Sequence, residues 1–507
     1  MKQELLRRVL NARVTDVLPS PTPLDPAPNL STRLHYPVLL KREDLTPVFS
    51  FKLRGAYNRM ALLSDAELAA GVIAASAGNH AQGVAFGAAR LGARCRIVMP
   101  RTTPSIKVNA VRRFGAQVDL IGDSYSDAAE HCKLLVAETG MTFIHPYDDL
   151  DVIAGQGTVG LEILNQAPRD LRSIFVPIGG GGLAAGVAAI CKAVRPEVRV
   201  IGVEPDDSDA MHRSLRVGQR VVLDKVGIFA DGVAVRQVGE HTFELCKEYL
   251  DDTLTVSSDE ICAAIKDAFE DTRSVLEPAG ALAIAGLKRQ IRGGELVPGS
   301  AVAITSGANV NFNRLRYVTE RTEFGAGREA VFAVTIPERP GAFLELCQVL
   351  GDRQVTEFNY RLATRKEAQI FVGVEVGTRS EARQLHDALL AAGYGCIDLS
   401  DDDLAKTHLR HMVGGHGEAE NELLFRFEFP ERPGALLEFL TSLRGRWNIS
   451  LFHYRNHGAA YGRVLCGMEV PPTQIYELKK TLDRLGFPYF DESENPAARH
   501  FLGLRGR

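Results

Sequence analysis

One lysine near the start of the chain stands among apolar and small residues. It is Lys52, in the run Ser50-Phe51-Lys52-Leu53-Arg54-Gly55-Ala56. A lysine amine is a nucleophile only when it is neutral, and an apolar setting that lowers its pKa favours that form. The run therefore allows Lys52 to form a Schiff base with an aldehyde. Taken alone, such a run more often belongs to a surface lysine whose stem lies along apolar neighbours.

Three further runs consist mainly of small residues, and each follows an apolar segment. Free backbone N–H groups in the first two can bind an anion at the N-terminus of the helix predicted to follow. Four consecutive glycines cost conformational entropy, which indicates that a group such as a phosphate approaches the backbone closely. The first run also fits an ordinary helix N-cap, and the hydroxyl of the third also fits a capped turn. The runs are Ser76-Ala77-Gly78-Asn79-His80, Gly179-Gly180-Gly181-Gly182-Leu183 and Thr305-Ser306-Gly307-Ala308-Asn309.

The glycine run also matches a dinucleotide-binding pattern. Gly180, Gly182 and Ala185 satisfy G-x-G-x-x-A, and Glu204 stands 22 residues after Gly182, where a ribose-binding acid is expected. That pattern usually lies at the first strand–helix turn of its fold, whereas several such units precede it here. Its position therefore argues against a nicotinamide enzyme.

The elements that must position these residues are alternating strands and helices. Short β-branched runs lie at 71–76, 94–100, 117–122, 173–179, 198–205 and 301–307, with helical patterns such as 79–90 between them. This alternation predicts a parallel α/β fold with helices on both sheet faces. Ligands bind such sheets at the carboxyl ends of the strands, where the three runs fall. Lys52 is predicted at a helix start, and Glu277, before Pro278, is interpreted as an acid that compensates a helix dipole.

Together, and in this order, the four runs resemble those of the fold-type II pyridoxal-phosphate enzymes, which share the tryptophan synthase β-like fold. The closest resemblance is to the threonine ammonia-lyases, over residues 1–320. It implies a pyridoxal 5'-phosphate cofactor held by Lys52 with Phe51 beside it, and a substrate carboxylate held by Ser76, Ala77, Gly78, Asn79 and His80. Asn79 would also bond the phenolic oxygen of the ring, and Ser306 would face the ring nitrogen. The phosphate would be held by Gly179, Gly180, Gly181, Gly182 and Leu183.

The resemblance implies that L-threonine is converted to 2-oxobutanoate and ammonia, the first step of isoleucine biosynthesis, with L-serine as a poorer substrate. Lys52 would also be the base that removes the Cα proton. His80 is not favoured as the acid for the leaving hydroxyl, because a histidine at this helix position more often caps or packs. The alternatives are a serine dehydratase, another fold-type II enzyme of β-elimination or β-replacement, and a non-catalytic amino-acid-binding regulator.

The last third of the chain contains an internal repeat. The shared PERPGA begins at Pro337 and again at Pro430, 93 residues later. Each unit follows the order strand, Pro-Gly turn, helix, strand, strand, helix, which fits a ferredoxin-like βαββαβ sandwich. The predicted boundaries are 1–320 for the catalytic domain, 321–329 for a connector, 330–405 and 422–500 for the two repeats, and 406–421 for the linker between them.

The repeats resemble the ACT-like regulatory domains of biosynthetic threonine ammonia-lyases. This resemblance implies inhibition by isoleucine, opposition by valine and a homotetramer. A Pro-Gly turn before a helix offers N–H groups to an effector carboxylate. His453 replaces Asn359 in the second unit, which argues against equal affinity, and a repeat that serves only subunit packing is the alternative. The predicted regulatory residues are Pro340, Gly341, Phe358, Asn359, Tyr360, Pro433, Gly434, His453 and Tyr454.

Composition excludes several classes of partner. The 507 residues are 45% apolar and 24% charged, with a net charge of −4, so no basic excess exists to attract nucleic acid or an acidic membrane. The eight cysteines are scattered, with no C-x-x-C and no cysteine–histidine cluster, which indicates reduced thiols. Without a long apolar segment, a cytoplasmic location is expected. An organellar precursor that has lost its transit peptide is the alternative.

Overall fold

The structure divides into two units, Met1–Val318 and Thr319–Arg507. It is a computed structural model that describes residues 2–294, 297–312, 314–326, 329–337, 342–351, 353, 355–362, 367–402, 404–405, 409, 421–430, 435–443, 446–455 and 461–502. Of the predicted regulatory residues, Pro340, Gly341, Pro433 and Gly434 lie outside these ranges.

The larger sheet of the first unit has six strands in the order β1-β2-β10-β7-β8-β9. β1 is antiparallel to β2, and the other neighbours are parallel. β10 is buried at every residue and β7 and β8 at nearly every one, as expected for strands covered by helices on both faces. The strands are β1 Leu24–Pro26, β2 Val38–Arg42, β7 Leu171–Pro177, β8 Arg199–Pro205, β9 Asp252–Val256 and β10 Ser300–Thr305.

Four further strands form a second parallel sheet in the order β5-β4-β3-β6. The sequence patterns located most of these strands but did not separate them into two sheets, because periodicity identifies a strand and not its partner. The strands of this smaller sheet are β3 Val72–Ala75, β4 Cys95–Met99, β5 Gln117–Leu120 and β6 Thr142–Phe143.

Helices of the first unit pack against both sheets. Several begin with a reciprocal capping box, as at Ser124 and Asp127, and several end at a left-handed glycine such as Gly92. The helices are α1 Lys2–Leu10, α2 Pro28–Leu34, α3 Lys52–Ala61, α4 Asp65–Ala70, α5 Asn79–Leu91, α6 Ser105–Arg112, α7 Tyr125–Thr139, α8 Leu150–Gln166, α9 Gly182–Val194, α10 Ala210–Val217, α11 Glu240–Tyr249, α12 Ser258–Thr272 and α13 Pro278–Arg292. The next helix, α14 Arg314–Ala326, begins in the first unit and ends in the second.

The second unit contains two modules of the same topology. Their sheet orders are β12-β13-β11-β14 and β16-β17-β15-β18, with antiparallel neighbours throughout, which is the ferredoxin-like arrangement predicted from the repeat. The first module comprises β11 Glu329–Pro337, α15 Ala342–Leu350, β12 Val355–Leu362, β13 Glu367–Glu375, α16 Arg379–Ala391 and β14 Gly395–Asp398. The second comprises β15 Glu422–Pro430, α17 Ala435–Leu443, β16 Asn448–Arg455, β17 Tyr461–Glu469, α18 Ile475–Leu485 and β18 Tyr489–Asp491, followed by α19 Pro496–Leu502.

The two modules share one apolar cluster. Val331 and Phe371 of the first pack with Leu424 and Leu465 of the second, and Phe501 of α19 joins them. In the backbone, the predicted regulatory residues Phe358, Asn359 and Tyr360 lie on β12, and His453 and Tyr454 lie on β16. Within the described part of the chain, no helix combines the length and apolar character needed to cross a membrane.

Candidate active site

A cavity in the first unit lies at the carboxyl ends of β7 and β10, with about 490 Å³ of empty space when the solvent at its mouth is included. All residues predicted to bind the cofactor line it: Phe51, Lys52, Asn79, Gly179, Gly180, Gly181, Gly182, Leu183 and Ser306. The structure therefore brings together runs separated by more than 250 residues of sequence.

Lys52 is the first residue of α3, as predicted, and its amine faces the cavity. Lys52 Nζ donates to the carbonyl oxygen of Pro146 at 2.8 Å and lies 5.3 Å from the centre of the Phe51 ring. Burial lowers the pKa of the Lys52 amine to about 8, and the negative charge of Glu277 partly opposes this. About a tenth of the amine is therefore neutral and nucleophilic at pH 7, far more than for an ordinary lysine with a pKa of about 10.4.

A buried charge network fixes the helix that carries Lys52. The Arg54 guanidinium, with no solvent exposure, donates to Glu43 Oε2 at 2.7 Å and to Glu162 Oε1 at 2.6 Å. Lys41 Nζ, equally buried, reaches Glu162 Oε2 at 2.6 Å. Two cations thus balance two carboxylates. Arg54, two residues after Lys52, binds α3 to Glu162 of α8 and to Glu43, the residue that follows β2.

The loop after β10 lies directly beside this helix start. Gly307 forms an isolated antiparallel bridge with Ser50, and the Phe51 N–H donates to the Ser306 carbonyl at 3.2 Å. The Ser306 hydroxyl donates to the Ala279 carbonyl at 3.3 Å, while Ser306 lines the cavity. The run from Thr305 to Asn309 is thus held against the run that contains Lys52 by backbone hydrogen bonds.

The glycine run forms a cradle at the N-terminus of α9. Gly181 has a φ of +96°, which favours glycine, and an added Cβ at Gly180 would overlap the ring of Tyr147. Thr242 Oγ1 donates to the Gly180 carbonyl at 2.6 Å and orients the peptide. A side chain would fill this space, and the N-terminal N–H groups of α9 favour an anion, so the cradle fits a phosphate.

The run from Ser76 to His80 reaches the cavity through Asn79, the first residue of α5. The Gly78 N–H lies 3.3 Å from Ser76 Oγ, and an added Cβ at Gly78 would meet no atom within 4 Å. This open turn at a helix N-terminus suits a carboxylate. The roles predicted for Ser76, Ala77, Gly78 and His80 in substrate binding stay predictions.

The environment of the His80 imidazole does not suit it to proton transfer. Its imidazole is buried, and its Nε2 donates to the Ile144 carbonyl at 2.8 Å. Burial and the positive charge of Lys52 lower the pKa of His80 to about 3, so the ring is neutral. This agrees with the sequence interpretation that His80 packs and is not the acid for the leaving hydroxyl.

Sequence reasoning missed two residues beside Asn79. Glu277, interpreted only as a dipole-compensating acid, lines the cavity and accepts from Asn79 Nδ2 at 2.5 Å. Asn309 Nδ2 donates to Asn79 Oδ1 at 2.8 Å. Asn309 is the last residue of a predicted run and Glu277 directly precedes a predicted helix start, but no spacing rule connects either residue to Asn79. Tyr147 and Gln156 also line the cavity and carried no sequence signal.

The dinucleotide reading of the glycine run fails at Glu204. The Glu204 carboxylate is buried and accepts the backbone N–H groups of Met211 at 3.0 Å and His212 at 2.6 Å. Burial raises its pKa to about 8. Glu204 therefore caps α10 and is not available to a ribose.

Asp231 joins separate elements at the cavity wall. Its carboxylate binds Lys107 of α6 at 2.6 Å and Arg314, at the start of α14, at 3.0 Å. The next residues, Gly232 and Val233, line the cavity. Ion pairs of Asp231 therefore connect this part of the cavity wall to α6, the helix that follows β4 of the smaller sheet, and to α14.

Comparison with known proteins agrees with a site built from a reactive lysine and a phosphate-binding cradle. The family model for pyridoxal-phosphate-dependent enzymes matches residues 16–307, and the model for the C-terminal regulatory domain of threonine dehydratase matches twice, at 320–409 and 413–502. A biosynthetic L-threonine dehydratase of Burkholderia multivorans is 57% identical over 503 residues, which cover 98% of this chain and 99% of the relative. The chain belongs to the threonine dehydratase family.

Solved structures of the threonine dehydratase family resemble the first unit. A processed threonine deaminase isoform 2 from Solanum lycopersicum is 48% identical with a TM-score of 0.61, covering 63% of this chain and 92% of its own. The threonine deaminase of T.th. is 38% identical with a TM-score of 0.56, covering 61% of this chain and 98% of its own. The predicted fold class, a catalytic α/β domain followed by two regulatory domains, is confirmed. Pyridoxal phosphate, predicted from the resemblance, is the cofactor of the family.

Proposed function

We propose that the chain is a biosynthetic threonine dehydratase, which converts L-threonine to 2-oxobutanoate and ammonia. One observation carries this proposal: the Lys52 amine and the glycine cradle of Gly179 to Gly182 face the same cavity. An amine with a lowered pKa and an anion-binding helix terminus suit an aldehyde that bears a phosphate. The dehydratase of Burkholderia multivorans, 57% identical, supports threonine as the substrate.

Lys52 has two roles in this proposal. Its amine would hold the cofactor aldehyde, and the same amine would act as the base that takes the proton from the substrate Cα. Pyridoxal phosphate, when bound, supplies the electron sink for the charge left on Cα. With a pKa of about 8, the Lys52 amine can both accept and return a proton near neutral pH.

Other residues orient the ligands. The phosphate would be held by Gly179, Gly180, Gly181, Gly182 and Leu183, and Asn79 would donate to the phenolic oxygen. Phe51 lies beside Lys52. Ser306, which carries no charge, would face the ring nitrogen and leave it largely unprotonated, so that the electron sink would be moderate. The turn from Ser76 to His80 binds the substrate carboxylate with its hydroxyl and backbone N–H groups.

His80 takes no part in proton transfer in this proposal. Its Nε2 hydrogen is occupied by the Ile144 carbonyl, and its low pKa leaves no second proton to give near neutral pH. The leaving hydroxyl therefore takes its proton from another group, for which the cofactor phosphate is a candidate.

The second unit regulates the reaction in our proposal. Isoleucine inhibits and valine opposes it, through the Pro-Gly turns and the residues on β12 and β16 named above. Two matches to the threonine dehydratase regulatory domain support an effector function for the modules. We also propose a cytoplasmic homotetramer, on the family resemblance. The domain boundaries proposed are those predicted from the sequence.

Relative kcat/KM for L-threonine and L-serine tests the substrate. The proposed function predicts a higher kcat/KM for threonine, with 2-oxobutanoate as the product. A preference for serine would contradict it and favour a serine dehydratase.

A further inference from the structure

The side-chain amide of Asn79 is held in one orientation by a series of hydrogen bonds. The Val48 carbonyl can only accept, so the Asn309 atom 2.8 Å from it is the donor Nδ2. The same Nδ2 donates to the nearest Asn79 atom at 2.8 Å, which is therefore Oδ1. Asn79 Nδ2 then faces the opposite side, where it donates to Glu277 Oε1 at 2.5 Å. A backbone carbonyl thus sets the orientation of two amides in succession.

Close packing keeps this arrangement beside the cavity. An added Cβ at Gly307 would overlap Glu277 Oε1 and lie 3.2 Å from Asn79 Nδ2. The Glu277 N–H also donates to the Gly307 carbonyl at 3.2 Å, and the Glu277 side chain is buried. Asn79, Glu277 and Lys52 all line the cavity. Little space is left in which the Asn79 amide could turn over.

We propose that Glu277 and Asn309 are positioning residues, which fix the Asn79 amide so that its second Nδ2 hydrogen donates to a ligand oxygen in the cavity. Nδ2 carries two hydrogens, and Glu277 takes one. A reversed amide would present a carbonyl oxygen there and repel an anionic oxygen. This inference rests on the proposed function, because it takes the cofactor as the ligand.

Glu277 also places a titratable charge next to this donor. Burial and the negative charge of Asp231 raise the pKa of Glu277 to about 7. The hydrogen bond from Asn79 and the positive charges of Lys107 and Arg314 act in the opposite direction and limit the rise. Lys52 is the cation that faces Glu277 from α3. A carboxyl protonated on Oε2 still accepts from Asn79 through Oε1. The orientation of Asn79 therefore persists through the titration, while the charge beside the ligand changes.

The test uses the full-length holoenzyme and measures the dissociation constant of pyridoxal phosphate and the visible spectrum across the neutral pH range. Glu277→Leu and Asn309→Asp remove the acceptor and the donor, and each weakens cofactor binding about tenfold or more. Glu277→Gln keeps an acceptor, so binding stays within about threefold of wild type, but the spectral titration near neutral pH is lost. Glu204→Gln is the matched control, because it changes a buried glutamate that caps α10, and it leaves both readouts unchanged.

A double-variant comparison decides whether Glu277 acts through Asn79. In an Asn79→Ala background, Glu277→Leu has no further effect on the dissociation constant if the inference holds. Equal weakening of cofactor binding by Glu277→Leu in both backgrounds would overturn the inference. An unchanged spectral titration in Glu277→Gln would overturn it too. Because Glu277→Gln conserves the volume of the side chain, it keeps the test possible if Glu277→Leu does not fold. Wild-type protein that binds no pyridoxal phosphate would instead overturn the proposed function.

Discussion

The Lys52 amine lies 2.8 Å from the carbonyl oxygen of Pro146, a residue 94 positions later in the chain. The loop that carries Pro146 follows β6, and its Ile144 carbonyl accepts from His80 Nε2 at 2.8 Å. One loop therefore fixes both the reactive amine and the neutral imidazole near it. Because carbonyl oxygens only accept, this loop orients the lysine without supplying a charge that would hold it protonated.

The lowered pKa of Lys52 predicts the pH dependence of cofactor loading. Only the neutral amine reacts, so the rate at which the apoenzyme binds pyridoxal phosphate covalently rises through a pH of about 8. An ordinary lysine would give a rise centred about two pH units higher. Stopped-flow absorbance on the apoenzyme measures this. Lys52→Ala removes the covalent band and lowers turnover by at least ~100-fold; a coloured, active Lys52→Ala protein would contradict the role of Lys52.

The glycine cradle predicts different effects for two glycine substitutions. Gly180→Ala places a Cβ against the Tyr147 ring, so the dissociation constant of pyridoxal phosphate rises about tenfold or more. Gly78→Ala meets no atom within 4 Å, so cofactor affinity is retained while KM for threonine rises through crowding of the carboxylate turn. Equilibrium dialysis and steady-state kinetics separate the two effects. Equal loss of cofactor in both variants would rule out separate phosphate and carboxylate sites.

The buried network around Arg54 predicts a large loss of stability when the guanidinium is removed. Arg54→Met leaves Glu43 buried without its main cation, which costs about 3–5 kcal/mol of unfolding free energy. Urea unfolding of the apoenzyme measures this. Arg59→Met is the control, because Arg59 pairs with Asp149 at a partly exposed site and its loss costs about 1 kcal/mol or less. Equal losses in both variants would show that the buried network does not stabilise α3.

We expect a chain truncated after residue 325 to be an active enzyme that isoleucine no longer inhibits. The threonine deaminase of T.th. matches 61% of this chain over 98% of its own length, so a related protein of about the size of the catalytic domain folds without the regulatory modules. The truncated chain therefore retains threonine turnover and loses sensitivity to isoleucine. Inhibition curves of the full-length and truncated proteins measure this. Isoleucine inhibition of the truncated protein would place the effector site in the first unit.

The residues that could be predicted from sequence are those whose chemistry shows in the local pattern. Lys52 stood in an unusual setting, and Gly179 to Gly182 reflect a close approach to the backbone that no other residue type allows. Glu277 and Asn309 could not be assigned, because their roles exist only where two distant loops place them beside Asn79. The division into two sheets was missed for the same reason, since β3 and β7 have similar patterns but different partners.

The most direct test records the visible spectrum of the full-length protein during turnover of L-threonine, with and without isoleucine. The account predicts a coloured protein in which lysine-bound pyridoxal phosphate is present, 2-oxobutanoate accumulates, and isoleucine slows this accumulation while the cofactor stays bound. A colourless protein, or a coloured one that forms no 2-oxobutanoate from threonine, would contradict it.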